Sequence, residues 1–325
     1  MQSNLQESES RVTPLSQNRL SMSASDWALL VVLSTFWGGS FFFTALTVRE
    51  IPPLTGALGR VAIAGAALFV VVLALRQSMA RTAELWRPIA VFAVLNNVVP
   101  FSLLFWGQTQ IPSGLASILN ATAPLFTVVV ANFATTDDKL TRGRLVGLVV
   151  GFAGVVVMMG PDLLGALDKY VLAQLACLTA AFFYAVSSVY GRRFRAIPPA
   201  TLACAQMAAS TLIFIPIVMA VDRPWTLPMP STQALLALAG VGLISTAAAY
   251  LIYFRILARA GATNIMLVTF LIPVSAILLG TLFLREVLEL RHFAGMAAIA
   301  LGLLAIDGRP AKFIARAMRR SRSPT

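Results

Sequence analysis

The chain has 325 residues, of which 58% are hydrophobic and only 12% are charged, and its mean hydropathy is +0.82. This composition excludes an ordinary soluble domain, because soluble proteins carry about 25% charged residues. The formal net charge of +12 would suit a nucleic-acid-binding protein if it were clustered on a soluble face. Here the basic residues lie between apolar runs, so nucleic acid is not an expected partner.

The chain opens and closes with polar tails and is apolar between them. Residues 1–26 are rich in Ser and Gln and predict a disordered cytoplasmic tail rather than a signal peptide. Residues 309–325 predict a basic cytoplasmic tail. A membrane span needs about 20 apolar residues. Ten runs meet this requirement, at 27–48, 54–75, 88–107, 114–134, 143–160, 170–191, 198–221, 231–254, 261–284 and 290–307.

The apolar region reads as one five-span unit written twice, over residues 27–160 and 161–308. Three landmarks recur at offsets of 146, 149 and 148 residues: Arg49–Pro53 and Arg195–Pro199, Gly114 to Pro124 and Gly261 to Pro273, and Asp138 and Glu286. Because five is an odd number, the second unit should be upside down relative to the first. We therefore expect an all-α integral membrane protein with ten transmembrane helices as two inverted five-helix repeats, an architecture of alternating-access carriers.

The distribution of Lys and Arg predicts the orientation of these spans. With the N-terminus inside, cytoplasmic segments hold 19 of the 25 basic residues and outer loops hold five, while Arg60 lies within a span. This bias predicts a multi-pass protein of the cell inner membrane with both termini in the cytoplasm.

Several stretches carry a resemblance to a known family. They are Leu95 to Gln108, Ile111 to Phe126, Trp37-Gly38 in the first span, and Gly280 to Glu286 followed by Gly295. Their duplicated order resembles the EamA-type branch of the drug/metabolite transporter superfamily, over the whole membrane region without the tails. The resemblance implies ten helices, a central cavity between the halves and transport of small organic solutes, often outward. It does not name the solute.

Arg60 is the one basic residue well inside a span, where a charge is costly unless it is paired or wet. It is a candidate anchor for a substrate carboxylate or phosphate. Alternatively, it is a structural Arg that hydrogen-bonds the backbone at a helix break or reaches the outer interface. Gln206 holds the equivalent place in the second copy, 146 residues later, and is also a candidate. Because this repeat mate is uncharged, the structural role is slightly favoured.

Amide and aromatic side chains complete the candidate substrate-binding set. The amides of Asn96, Asn97 and Asn120 could recognise polar groups of a solute or, equally, bond between helices. An aromatic wall could surround an amphipathic solute, although aromatic residues near span ends are more often interfacial. Its candidate members are Trp37, Trp106, Tyr184 and Tyr250.

Proline and acidic residues at repeat-related places predict bends and helix caps. Pro124 and Pro273 are hinge candidates, because a proline within a helix removes a hydrogen bond and bends it. Asp138 and Glu286 directly precede the fifth and tenth spans and are expected to cap their N-termini. Small residues on those two spans predict close packing between helices.

The remaining residues favour a carrier over other classes of membrane protein. All 13 acidic residues lie in tails, loops or span edges, which suggests facilitated diffusion without a titratable group at midspan. We expect an outward carrier of small amphipathic metabolites such as amino acids, acting as a monomer without metal or cofactor. Proton or sodium coupling and a channel are the alternatives. The chain lacks the motifs of an intramembrane enzyme, and Cys177 and Cys204 have no metal-site spacing.

Overall fold

The computed structural model describes residues 23–79, 83–135, 140–160, 168–265 and 267–307. These residues form a bundle of ten helical spans and contain no strand. The spans are α1 (Ala24–Thr47), α2 (Pro53–Ala74), α3 (Ala83–Ala93, Val94–Val98 and Val99–Gly107), α4 (Ser113–Asn120 and Ala123–Ala134), α5 (Arg142–Met159), α6 (Lys169–Tyr190), α7 (Pro199–Val221), α8 (Thr232–Gly242, Leu243–Ala248 and Ala249–Ile265), α9 (Val268–Leu284) and α10 (Leu290–Asp307).

The prediction of an all-helical membrane protein is confirmed for the described residues. Eight of the helices are long and apolar enough to cross a bilayer, whereas Val268–Leu284 and Leu290–Ile306 are shorter apolar helices. One boundary was wrong: the ninth span begins at Val268 instead of residue 261, because α8 continues as helix to Ile265. Apolar side chains such as Val149 and Leu282 are exposed on the outside of the bundle, as expected for a surface in contact with lipid.

Local sequence determines where several helices begin. Pro53 and Pro199 open α2 and α7, where a proline removes an N–H group that would have no helical partner. Asp168 and Ser231 cap α6 and α8 by accepting hydrogen bonds from Val171 N and Ala234 N. These signals fix the helix ends before any packing between helices is considered.

Two spans contain a short π-helical stretch at repeat-related positions. The stretch in α3 covers Val94–Val98 and the one in α8 covers Leu243–Ala248, so the two begin 149 residues apart. A π-helical turn accommodates one extra residue and is frequent at functional sites. The stretches carry Asn96 and Asn97 in α3, and Ser245 and Thr246 in α8. Sequence analysis did not anticipate these irregular turns.

The two halves of the chain interlock by exchanging equivalent helices. Helix α1 packs mainly on α8 and α9 of the second half, and its repeat mate α6 packs mainly on α3 and α4 of the first. Two other pairs of mates have extensive direct contact, α2 with α7 and α5 with α10. Each half therefore completes the packing of the other half.

The directly paired mates run antiparallel. Near the start of α2, Thr55 N donates to Asp222 Oδ2 at 2.8 Å, just beyond the end of α7. Just past the end of α2, the Gln77 side chain accepts a hydrogen bond from Thr201 Oγ1 at the start of α7, at 2.9 Å. Helices α5 and α10 are antiparallel as well, because Gly147 lies against Gly302.

Glycines allow close contact between α5 and α10. A methyl group added at Gly154 would lie 2.7 Å from the Gly295 carbonyl oxygen and 2.8 Å from Ala298 Cβ. One added at Gly147 would lie 2.5 Å from the Gly302 carbonyl oxygen. The predicted close packing of these helices is confirmed, and it brings their backbones into direct contact.

The expected cap of the tenth span is corrected by the structure. The carboxylate of Glu286 accepts hydrogen bonds from Ser113 N, Ser113 Oγ and Gly114 N at 2.8, 2.9 and 3.1 Å. Glu286 therefore caps α4 of the other half, which is adjacent in the folded protein. It does not cap α10, the helix that follows it in sequence. Asp138, the expected cap of the fifth span, lies outside the described residues.

The contact between α5 and α10 yields a stability prediction. We expect Gly154→Ala to lower the free energy of unfolding by about 1–3 kcal/mol, because the added methyl overpacks a backbone contact. Thermal unfolding of the detergent-solubilised protein measures the change. Gly143→Ala in the same helix is the matched control, since its methyl meets nothing within 4 Å and should preserve or raise stability. Equal unfolding temperatures for the two variants would contradict the prediction.

Candidate functional site

A cavity of about 530 Å³ lies at the centre of the bundle. Eight helices from both halves line it, whereas the α5–α10 pair contributes none of the lining residues. On α1 the lining residues are Trp37, Ser40, Phe41 and Thr44, whose spacing places them on one face of the helix. The cavity is therefore built at the interface of the halves, where the polar positions of several helices converge.

A hydrogen-bonded network crosses the interface at this cavity. Asn96 Nδ2 on α3 donates to Gln206 Oε1 on α7 at 3.2 Å, and Gln206 Nε2 donates to Tyr250 OH on α8 at 3.2 Å. Ser187 Oγ on α6 donates to Asn96 Oδ1 at 2.9 Å. Asn96 Nδ2 also lies 3.5 Å from Tyr250 OH, so this one side chain of the first half is bonded to three of the second half.

Arg60 on α2 holds the place that Gln206 holds on α7, and it also bonds a π-helical stretch of the opposite half. Its Nε donates to Thr246 Oγ1 in the π-helical stretch of α8 at 3.1 Å. Its Cζ lies 3.8 Å from the centroid of the Phe101 ring, a cation–π distance. Gln206 likewise bonds the π-helical stretch of α3, but it accepts the hydrogen bond, from Asn96. Both copies thus join the α2 or α7 side chain to a π-helical stretch, but only the first copy supplies a charge.

Aromatic rings form much of the remaining wall. The Trp37 and Tyr253 ring centroids are 5.5 Å apart, and those of Tyr250 and Phe254 are 5.7 Å apart. Phe101 and Tyr184 also line the cavity. Among the described lining residues Arg60 is the only charged one. The cavity therefore offers apolar area, hydroxyl and amide groups, and one positive charge.

The structure brings most of the candidate binding residues together. Seven of the nine line the cavity: Trp37, Arg60, Asn96, Asn120, Tyr184, Gln206 and Tyr250. Asn97 does not line it, because it is buried between α3 and α7 with its Nδ2 donating to Ser210 Oγ at 2.9 Å. Trp106 does not line it either and is 37% exposed near the end of α3. We leave these two out of the proposed binding set.

Sequence reasoning missed the hydroxyl groups of the cavity. Ser187, Ser245 and Thr246 line it, yet single Ser and Thr residues in apolar runs carry no distinctive signal. The repeat held a usable signal for one of them, since Ser245 lies 149 residues after Asn96, which also lines the cavity. Within the described residues, no group of three His, Cys, Asp or Glu side chains could hold a metal ion.

Three carboxylates join the halves at the end of the bundle where α2, α4 and α8 begin, which we call the far end. Each bonds the N-terminus of a helix in the opposite half. Glu50 accepts from Ser231 N and Ser231 Oγ at 2.6 and 2.7 Å, and Asp222 accepts from Thr55 Oγ1 at 2.7 Å as well as from its N–H. Glu286 makes the third cap, on α4. The bonds from Ser231 hold the pKa of Glu50 below its usual value, so this carboxyl is charged in neutral solution.

A smaller cavity of about 210 Å³ lies at the far end beside this set of caps. Gln108 lines both this cavity and the central one, and its own side chain is buried. Thr44 and Leu104 of the central cavity are buried as well, whereas Pro199, a lining residue at the opposite end, is exposed. Gln108 therefore lies between the central cavity and the smaller cavity.

The two hinge candidates have different surroundings. Pro124 lines the cavity and follows the break at Ala121 and Thr122 that divides α4. Pro273 is buried inside the continuous helix α9, where Gly38 of α1 approaches the neighbouring backbone. A methyl added at Gly38 would lie 2.9 Å from the Ile272 carbonyl oxygen. A proline leaves the carbonyl four residues earlier without its helical bond, and those residues, Asn120 and Thr269, both line the central cavity.

A bundle of apolar helices around a central cavity with polar groups in its wall defines a multi-pass membrane protein of the transporter class. The particular family follows from the sequence. The chain belongs to the EamA-like transporter family, whose model matches residues 26–160 and again residues 171–306. The resemblance noted in the sequence is confirmed, and the family points to a transporter rather than an enzyme.

Similar proteins cover nearly the same length. "Uncharacterized transporter YoaV" of Bacillus subtilis is 24% identical over 84% of this chain and 94% of its own. "Uncharacterized inner membrane transporter YedA" of Escherichia coli K12 is 28% identical over 85% and 89%. "Protein PecM" of Dickeya dadantii is 26% identical over 83% and 88%. A crystal structure with a TM-score of 0.61 and 20% identity covers 88% of this chain and 98% of its own, which shows the shared fold.

The hinge candidates give a kinetic prediction. Pro→Ala at Pro124 or Pro273 should lower the maximal transport rate several-fold while changing substrate affinity little. Restoring a regular helix raises the barrier between conformations and leaves most cavity contacts in place. Initial transport rates over a range of solute concentrations, normalised to folded protein, separate the two parameters. Normal maximal rates in both well-folded variants would make these prolines static bends.

Proposed function

We propose that this protein is an alternating-access carrier that moves small amphipathic metabolites out of the cell, with amino acids and related compounds as the first candidates. The observation that supports it most is the central cavity, which combines aromatic walls with an amide and hydroxyl network across the two halves. Such a surface suits a solute with an apolar body and a polar end.

Alternating access follows from an inverted repeat, which is part of the proposal. It is supported by the antiparallel pairing of α2 with α7 and of α5 with α10, and by the double match to the family. A half-turn about an axis in the membrane plane reverses a helix, so mates that meet at such an axis lie antiparallel. The excess of basic residues at the ends and in alternate loops supports an inner-membrane protein with both termini on the cytoplasmic side.

In this orientation the far end faces outward. The caps made by Glu50, Asp222 and Glu286 hold the halves together there, and the exposed lining residues lie toward the cytoplasm. The described arrangement then corresponds to a carrier closed to the outside. Release of solute outward requires the three caps to separate while the cytoplasmic end closes, with bending near Pro124 and Pro273.

Facilitated diffusion is the proposed energetic mode. Proton coupling in membrane carriers uses buried groups that gain and lose charge, and every acidic residue of this sequence lies in a tail, a loop or a span edge. A solute in cytoplasmic excess would leave down its own gradient, driven by no second ion.

Counterflow in proteoliposomes tests the proposed function. Vesicles loaded with an unlabelled amino acid should transiently accumulate the labelled compound from outside, because a carrier exchanges solute faster than it moves net amounts. Amino acids, nucleosides and sugars form the panel, with protein-free vesicles as the control. If uptake depends strictly on an imposed pH or sodium gradient, transport is coupled and the proposal of facilitated diffusion is wrong. Large single-opening currents would identify a channel.

The far-end caps give a second prediction. Glu286→Ala leaves Ser113 N and Gly114 N without partners in the outward-closed state, so the outward-open population should rise about tenfold. A membrane-impermeant maleimide added outside reports this as faster labelling of a Thr44→Cys variant. The background carries Cys177→Ala and Cys204→Ala to remove the native thiols.

Glu289→Ala is the matched control for this experiment. Glu289 lies in the same loop, but its carboxylate bonds Arg291 of its own half at 2.8 Å. Its loss should leave the labelling rate unchanged. Equal rates in the Glu286→Ala variant and its parent would remove Glu286 from the outer closure.

A further inference from the structure

We infer that the central cavity selects solutes that carry a carboxylate, and that the Nη groups of Arg60 are the receptor for it. The inference rests on the proposed carrier function and names the chemistry of its substrate. It starts from the state of the Arg60 side chain, which is only 8% exposed in the middle of an apolar bundle. A charge in such a place requires a partner or bound water.

The described residues do not supply a charged partner. No carboxylate forms an ion pair with Arg60 among them, and no Asp or Glu lines the central cavity. The positive charge of Arg60 is therefore uncompensated by the described part of the chain, and an anionic solute would compensate it.

The Arg60 side chain is held so that its two Nη groups are available to a ligand. Nε donates to Thr246 Oγ1 at 3.1 Å, and the Phe101 ring covers one face of the guanidinium at 3.8 Å. Neither Nη group has a hydrogen-bond partner among the described residues, and Arg60 lines the cavity. One bond and one ring thus fix the plane of the group and leave both Nη groups, with four N–H donors, for a ligand. A planar fork of this kind matches the two oxygens of a carboxylate.

The rest of the cavity favours a single negative charge on a partly apolar solute. No second Lys or Arg lines it among the described residues, which disfavours a dianion such as phosphate. Three buried oxygens of the lining, Ser245 Oγ, Asn120 Oδ1 and Gln108 Oε1, have no hydrogen-bond partner among the described residues. Ser245 directly precedes Thr246, the partner of Arg60. These acceptors suit an ammonium or other donor beside the carboxylate, as in an amino acid.

The difference between the two repeats gives a bound solute a preferred orientation. Gln206, the mate of Arg60, bonds Asn96 and Tyr250, so its amide is occupied within the protein. Among the described lining residues, only the α2 side of the cavity therefore offers a positive charge. A solute that bears a carboxylate is bound in one orientation despite the approximate symmetry of the halves.

The test compares leucine and phenylalanine with their amides, in which the carboxylate alone is removed, and with 4-methylpentanoate, which lacks the ammonium. Competition in counterflow and thermal shifts of the detergent-solubilised protein are both measured. In the unmodified protein the acids should bind about 10- to 100-fold more tightly than the amides, the ratio expected for a charge-assisted hydrogen bond. Arg60→Gln, which copies the residue of the other repeat, should bring this ratio close to one without loss of thermal stability.

Two further variants distinguish recognition of the solute by Arg60 from a structural role of this residue. Arg60→Lys retains the charge without the fork and should keep part of the preference for the acids. Thr246→Val removes the bond that orients Nε but no charge, so the preference should fall without being lost. The inference is overturned if the unmodified protein binds acids and amides alike or binds no acid. It is also overturned if Arg60→Gln weakens every solute equally together with thermal stability. Transport of the amides alone would leave the carrier function intact and remove only the carboxylate receptor.

Discussion

The constraint on which this structure depends is that the bilayer interior provides no water for an unpaired polar group. Regular helices satisfy their own backbone, so irregular backbone needs partners from neighbouring helices. The π-helical stretches of α3 and α8 occur where Asn96 and Thr246 meet the side chains of α7 and α2. The break in α4 likewise borders the cavity. Departures from regular helix and the polar cavity are thus two aspects of the same arrangement.

The two halves share this arrangement but differ in charge. In the second half, the neutral amide of Gln206 is bonded to Asn96 and Tyr250. In the first half, the guanidinium of Arg60 is bonded through Nε, and its Nη groups remain free in the part of the chain that the structure describes. A duplicated fold provides two similar sides to a central space, and a single substitution is enough to make one side the recognition surface. The shared scaffold explains why the halves pair, and the difference between Arg60 and Gln206 explains how a symmetric cavity could bind an asymmetric solute.

Much of the bundle could be predicted because length and hydropathy determine spans, and the repeat relates equivalent positions. Arg60, Gln206 and Asn96 could be proposed from their unusual polarity inside apolar runs. The choice between Asn96 and Asn97 could not be predicted, because a π-helical turn changes which neighbour faces the cavity and has no sequence signature. The end of α8 was misplaced because Gly261 does not by itself stop a helix. The partner of Glu286 was missed because α4 is distant in sequence and adjacent in space.

The exchange of α1 and α6 between the halves also determines the order in which the protein can be completed. Helix α1 leaves the ribosome first, yet the helices that cover it, α8 and α9, are synthesised near the end. Its buried polar face, which includes Ser34 and Thr44, must remain without its final partners while six further spans are made. The first helix inserted is therefore among the last to reach its native surroundings. Premature association of α1 with other spans is a hazard that the biogenesis of this fold has to avoid.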